Sequence, residues 1–96
     1  MIIELKKPAE FEGETTTALN LDLDSLTGAD LRRIERKVRK QLAAEQMTLT
    51  VAQTDTDYLL AVAAQAAGQP VEFFDALAAP DFTAVTMAVQ NFLLGG

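Results

Sequence analysis

The sequence predicts an α+β fold in which an N-terminal β-hairpin is followed by three to four α-helices. Thr, Leu and Asp alternate with a period of two in residues 15–24, which is typical of a half-buried strand. From residue 27 onward, apolar side chains recur every three or four positions, which is the helical period. At 96 residues, we expect a single domain that comprises a β-hairpin at 1–24, a basic amphipathic helix at 27–46, and Ala-rich and apolar helices at 54–94.

The hairpin is predicted from two short strands and one glycine. The first strand covers residues 2–7, because its β-branched start suits a strand and Pro8 ends it or marks an edge. Gly13 supplies the unusual backbone dihedral that the turn needs. In the second strand, one face is expected to be apolar: Thr17, Leu19, Leu21 and Leu23. Because a lone hairpin is marginally stable in water, this face must pack on the helices.

The first long helix begins at Thr27, whose side chain can accept from a free amide of the first turn, and Asp30 stands where a capping box places an acid. Its core-facing stripe is predicted to be Leu31, Ile34, Val38 and Leu42. Residues 47–53 alternate like a strand but end in residues that suit a helix start. We treat them as an extended connection.

Three further helices are predicted toward the C-terminus. An Ala-rich helix over 58–67 stops at Gly68, and its small side chains favour a central position. A short helix over 71–77 begins after Pro70. The last helix, over 81–94, carries one apolar stripe: Phe82, Val85, Val89, Phe92 and Leu93.

The composition excludes several kinds of chemistry. The chain has no cysteine and no histidine, so it lacks a thiol nucleophile, an imidazole base, a disulfide framework and a zinc site. Ser25 is the sole serine, and no base is available to activate it. There is neither a long apolar run nor a secretion signal. We therefore expect a cytoplasmic protein that is not an enzyme and uses no metal or cofactor.

Two pairs of aspartates are spaced i, i+2 and admit a metal-binding interpretation. They are Asp22 with Asp24 and Asp55 with Asp57. The calcium-loop pattern, with its central Gly and terminal Glu, is absent around both pairs. We favour helix caps for the second pair and a solvent-facing strand edge for the first.

Charge is distributed unevenly along the chain. Residues 41–96 contain six acids and no base, and the net charge is −6. Six of the eight basic groups lie on the predicted first helix: Arg32, Arg33, Arg36, Lys37, Arg39 and Lys40. This arrangement is compatible with a solvated helix face, a protein-binding face or a nucleic-acid-binding face. The acidic pI, near 4.4, argues against general nucleic-acid binding.

The C-terminal phenylalanines are the second set of candidate partner-binding residues. Phe73 and Phe74 are adjacent on a helix, so their side chains point about 100° apart and rarely fill one small core together. We expect one of them to form an exposed apolar patch with part of the C-terminal stripe, including Phe82 and Phe92.

Several stretches of the sequence resemble one known family. I-E-L-K-K-P at residues 3–8, followed by T-T-T-A-L-N-L-D-L at 15–23, is similar to an opening L-x-x-P strand and the strand after it. T-G-A-D-L at 27–31 resembles a T-G-x-D-L helix start. L-A-A-P-D-F-T-A-V at 77–85 and F-L at 92–93 resemble an L-x-x-x-D-x-x-x-V helix that closes with F-L. The family is the tail assembly chaperones of contractile-tailed bacteriophages and prophages, the Mu-like and P2-like group.

This resemblance implies a non-enzymatic role in the cytoplasm of the bacterial host. Such chaperones bind the tape measure protein, keep it soluble, aid assembly of the tail tube, and are absent from the finished virion. The apolar stripe in residues 71–93 and the basic residues 32–40 would then contact the partner, and copies would associate with one another. The alternatives are a small nucleic-acid-binding regulator that uses residues 32–40 and a minor structural component of the tail.

Overall fold

A computed structural model describes residues 1–47 and 55–95 of the chain. The predicted α+β class is confirmed, because an antiparallel hairpin is followed by four helices in the described part of the chain. In chain order, the elements are β1 (Ile2–Phe11), β2 (Glu14–Asn20), α1 (Gly28–Ala44), α2 (Thr56–Ala67), α3 (Val71–Phe74) and α4 (Ala79–Leu93).

The hairpin turns at Glu12 and Gly13, which both have positive φ angles, of 50° and 80° respectively. Two positive φ angles are typical of the tight turns whose twist matches that of the flanking strands. β1 continues past Pro8 to Phe11, so the first strand is longer than predicted. The proline fits because the register shifts here, and residues 5–8 stand opposite a single residue of β2, Thr17.

The apolar face predicted for the second strand is confirmed except at the position of the register shift. Leu19, Leu21 and Leu23 are buried as predicted, but Thr17 is exposed. β2 ends at Asn20, and backbone hydrogen bonds fix the extended chain that follows it. The amide of Leu21 donates to the carbonyl of Met1 (2.7 Å), and the amide of Asp22 donates to the carbonyl of Ala66 in α2 (3.0 Å).

The capping box at the start of α1 is confirmed. The amide of Thr27 donates to Oδ2 of Asp30 (2.9 Å), and the amide of Asp30 donates to Oγ1 of Thr27 (3.3 Å). Ile34, Val38 and Leu42 are buried, as predicted, and Leu31 is half-buried. This stripe faces α2, which is the main neighbour of α1.

α2 occupies the centre of the fold, as its small side chains predict, and it contacts α1, α3, α4 and β2. It begins two residues earlier than predicted, at Thr56, because the carboxylate of Asp55 accepts from the amides of Asp57 (2.9 Å) and Tyr58 (3.2 Å). It ends at Gly68, which adopts a φ of 67°. Of the connection predicted over 47–53, only Met47 lies within the described residues.

The two adjacent phenylalanines lie in α3, and both are buried. Phe73 and Phe74 are 1% and 0% exposed, so the prediction that one of them is exposed is wrong. Their rings meet edge to face, with 5.4 Å between centroids, and the ring of Phe73 meets that of Phe11 in the same way at 5.8 Å. α3 is only four residues long, shorter than the predicted 71–77. Because β1 covers one ring while the other turns into the core, both are buried.

α4 begins at Ala79, with Pro80 in its first turn. Val85 and Val89 are buried, and Phe82 and Phe92 are half-buried against the core. No helix within residues 1–47 and 55–95 is long and apolar enough to cross a bilayer.

Candidate partner-binding surface

The six basic side chains of α1 form one exposed surface, which we call the basic face. All six are exposed: Arg32, Arg33, Arg36, Lys37, Arg39 and Lys40. The opposite side of α1 is fixed against α2 by its buried stripe, so the basic face points away from the core. The structure thus brings these residues together, as the helical period predicts.

Two ion pairs within α1 engage part of the basic face. Arg33 lies 2.9 Å from Oδ1 of Asp30, and Arg39 lies 3.4 Å from Oε1 of Glu35. The pKa of Asp30 is lowered by the backbone hydrogen bond from Thr27 and then by Arg33. Exposed pairs of this kind stabilise a fold only slightly, so an acidic group of a partner could displace them at little cost.

The other four basic side chains have no carboxylate in ion-pair contact within the described residues: Arg32, Arg36, Lys37 and Lys40. Each therefore keeps a hydrated charge at the surface. An incoming acidic group would not have to displace an internal partner at these positions.

An open groove runs beside the basic face, between α1, α2 and the start of α3. Two adjoining cavities of about 550 Å³ and 610 Å³ form it. They share six lining residues: Lys37, Val38, Gln41, Ala61, Pro70 and Val71. Val71 is 40% exposed although it is apolar. The groove thus offers an apolar floor to a partner.

The two ends of the groove differ in charge. Arg33 lines only the first cavity, and Lys37 lines both cavities. The second cavity adds three acids, Glu45, Asp57 and Glu72. Along α1, the rim therefore changes from positive to negative within about three helical turns.

The sequence-predicted phenylalanines contribute less to the surface than expected. Phe73 and Phe74 belong to the core, and Phe82 and Phe92 expose only part of their rings. Among the described residues, the large exposed apolar side chains outside the hairpin are different ones: Met47, Val71, Met87 and Leu94. Helical spacing could have predicted the exposure of Met87, because this residue does not lie on the apolar stripe of α4 formed by residues 82, 85, 89 and 92.

Asp81, the acid of the L-x-x-x-D-x-x-x-V pattern, is a buried carboxylate for which the sequence predicted no role. It is 2% exposed, and it accepts hydrogen bonds from the backbone amides of Lys6 (2.8 Å) and Lys7 (3.1 Å). Both oxygens are thus occupied by the shifted segment of β1. This arrangement indicates a structural role, because neither oxygen is directed at an open site.

The remaining candidate chemical groups have local structural roles. Asp55 caps α2, as expected, whereas Asp57 lies in the first turn of that helix and is not its cap. Asp22 and Asp24 are exposed, as expected, but they follow the end of β2 at Asn20 and so do not belong to a strand edge. The hydroxyl of Ser25 donates to the carbonyl of Asp22 (3.1 Å). In the part of the chain that the structure describes, no cluster of three or more acidic side chains is placed to hold a metal ion.

The fold and this surface define a small α+β protein with a charged, grooved helix face. A family model described as phage tail assembly chaperone proteins, E, or 41 or 14, matches residues 2–94. The chain therefore belongs to this phage tail assembly chaperone family, as its sequence resemblance predicts. No curated protein and no solved structure matches the chain.

Proposed function

We propose that this protein binds the tape measure protein in the cytoplasm of the host, keeps it soluble and aids assembly of the tail tube. It does so without catalysis and without a cofactor. Membership of the tail assembly chaperone family supports the proposal, and the family model matches residues 2–94. The tail tube protein is the second proposed partner.

The single observation that carries this proposal is that α1 presents six exposed basic side chains beside an apolar groove. A long helical client exposes apolar stripes flanked by charges, and such a surface is complementary to both. Burial of apolar area contributes about 25 cal/mol per Å². Each contact is therefore weak, and many copies along one client supply the overall affinity.

Co-expression with the tape measure protein tests the proposal. The variant Arg32→Glu/Arg36→Glu/Lys40→Glu reverses three exposed charges that do not line the groove. We expect the wild type to increase the soluble fraction of the client several-fold and this variant to lose most of that effect. A matched control is Lys6→Glu/Lys7→Glu, because these side chains are exposed and only their backbone amides are hydrogen-bonded.

A nucleic-acid-binding regulator is the second candidate, and the exposed basic face is the observation that favours it. Such a regulator would bind DNA or RNA with an affinity that falls steeply as salt rises, and the triple variant would abolish binding. The net charge of −6 opposes this function. Solubilisation of the client without retention on nucleic acid supports the chaperone, and the reverse result supports the regulator.

A minor structural tail component is the third candidate. Mass spectrometry of purified tails separates it from a chaperone. We expect the tape measure protein to be detected there and this protein to be absent. Its stoichiometric presence in finished tails would contradict the chaperone proposal.

We also propose that copies associate head to tail. The basic face of one copy would meet the exposed acids in residues 41–96 of the next, a segment that contains no base: Glu45, Asp57, Glu72 and Asp75. Contacts of this kind form rings or open helical arrays. Sedimentation velocity at low and high salt tests this, with larger species expected at low salt. The triple variant should remain monomeric.

A further inference from the structure

We propose that the groove binds one amphipathic α-helix of a partner protein, with carboxylates near the Arg33 end and basic side chains near the Glu72 end. The inference rests on the proposed function in one respect: the client protein would supply the amphipathic helix. It identifies a second binding site, distinct from the outward-pointing part of the basic face formed by Arg32, Arg36 and Lys40.

The shape of the groove is the first argument. On α1, the rim residues Arg33, Lys37, Gln41 and Glu45 recur every four positions. The first and the last are 12 positions apart, which corresponds to about 18 Å of helix. Three turns of a docked helix have this length. The two cavities also lie within the volume range of about 300–1,000 Å³ that is usual for binding pockets.

The chemistry of the walls selects a helix over an extended peptide. Most of the lining is formed by side chains of α1 and α2, whose backbone groups are already bonded within these helices, and the rest comes from residues 68–72. An extended peptide would bury amides and carbonyls there without partners, at considerable cost. A helix bonds its own backbone and offers only side chains. Its apolar residues, spaced i, i+3 and i+4, would cover Ala61, Pro70 and Val71.

The charges of the groove set the orientation of the bound helix. Arg33 is already paired with Asp30 and hydrogen-bonded to Gln65 (3.3 Å), whereas Lys37 has no carboxylate in contact within the described residues. Lys37 is thus the stronger attractant for an incoming acid. At the other end, Glu45, Asp57 and Glu72 are exposed, with no cation in ion-pair contact in the described part of the chain.

The helices of this chain do not match that pattern, so a second copy is a poor occupant. The apolar stripe of α1 is already used against α2. α4 exposes Met87 but carries no basic side chain that would complement the acidic end of the groove. The partner helix must therefore come from another protein.

Nuclear magnetic resonance with a designed probe tests the inference. The probe is an 18-residue helical peptide with a leucine stripe, glutamates at one end and lysines at the other. We expect it to shift the amide signals of Val38, Ala61 and Val71. A spin label at its glutamate end should broaden Arg33 and Gln65, and a label at its lysine end should broaden Asp57 and Glu72. The absence of shifts at millimolar peptide would overturn the inference.

Two substitutions in the groove test whether the peptide binds at this site. Val71→Asp places a charge on an exposed position of the floor, and Gln41→Trp fills the space from the exposed rim. Each should weaken peptide binding at least about tenfold, while the thermal midpoint stays close to that of the wild type. Equal binding by both variants and the wild type would place the peptide elsewhere.

Exchanging the charges of the groove tests the orientation. In the variant Arg33→Glu/Lys37→Glu/Glu45→Lys/Glu72→Lys, the first end of the groove carries two negative charges and the second end is net positive, so the broadening pattern from the two spin labels should reverse. An unchanged pattern would overturn the orientation.

The peptide assay and the co-expression assay fail independently. If the wild type solubilises the tape measure protein but the peptide leaves the groove unperturbed, the groove inference is wrong and the proposed function stands. If the peptide binds in the groove but the client stays insoluble, the proposed function is wrong and the groove site stands.

Discussion

The carboxylate of Asp81 accepts a hydrogen bond of 2.8 Å from the backbone amide of Lys6, although the two residues are 75 positions apart. Its other oxygen accepts from the amide of Lys7 at 3.1 Å. These amides belong to the segment where the register of the hairpin shifts and where β2 no longer pairs with them. A side chain of α4 therefore replaces the missing strand partner.

We expect Asp81→Asn to lower the free energy of unfolding by about 2 kcal/mol. The amide side chain offers one acceptor instead of two, and its NH₂ group would face a backbone N–H that then has no partner. Urea unfolding followed by circular dichroism measures the change. Asp75→Asn is the matched control, because Asp75 is exposed, and it should change stability by no more than about 0.5 kcal/mol. Equal effects of the two substitutions would contradict the assigned role.

The hairpin turn should respond in opposite directions to two substitutions. Gly13→Ala should destabilise the protein by about 1 kcal/mol through its positive φ alone, since no atom lies within 4 Å of an added Cβ there. Glu12→Asn should stabilise it by about 0.5 kcal/mol, because asparagine tolerates the positive φ better than glutamate. Thermal unfolding of both variants measures these changes. A loss of stability in Glu12→Asn would contradict the turn geometry.

Tyr58 should ionise at a higher pH than an ordinary tyrosine. Burial, and secondarily the negative charge of Glu35, raise its pKa above the usual 10.0. The chain has one tyrosine and no tryptophan, so absorbance at 295 nm follows this group alone. Because the folded pKa exceeds the unfolded one, the associated stability is complete below about pH 10. It is lost as the pH rises through the folded pKa.

Glu35→Gln is the control for that titration. It removes the smaller cause and leaves burial unchanged, so the pKa of Tyr58 should fall part of the way toward the ordinary value. A pKa for Tyr58 at or below 10.0 in the folded wild type would show that the ring is not held in the core as described.

Asp30 should titrate below its ordinary range in the folded protein. The backbone hydrogen bond from Thr27 is the main cause, and Arg33 adds to it. Because the folded pKa is lowered, the associated stability is present above the unfolded pKa. It is lost as the pH falls through the folded one. Carboxyl chemical shifts measure the titration, and Arg33→Gln should raise the pKa of Asp30 only partly. Full recovery of the ordinary value in that variant would assign the effect to Arg33 instead.

Features that depend on local spacing were predictable from the sequence. The capping box at Thr27 and Asp30, the helix stop at Gly68 and the exposed basic side chains of residues 32–40 each follow from residues within two turns of one another. The apolar alternation likewise predicted the buried side of Leu19 and Leu21. Here local propensity and burial favour the same arrangement.

Features that depend on distant contacts were not predictable in this way. Pro8 suggested a strand end, but the amide donors next to it find an acceptor in Asp81, so β1 continues. Phe73 is covered by Phe11 of the hairpin, a contact that no helical spacing reveals. The groove likewise required the placement of α1 against α2 and α3. It is therefore a property of the tertiary arrangement.

The bond between residues 6 and 81 bears on the order of events during biosynthesis. When a ribosome has translated only the hairpin, the amides of Lys6 and Lys7 lack their acceptor, because Asp81 has not yet been synthesised. The first strand can reach its final form only after the last helix has emerged from the exit tunnel. Nascent chains stalled before residue 81 should accordingly be cleaved by protease near residues 5–8, whereas chains in which α4 has left the tunnel should be protected there.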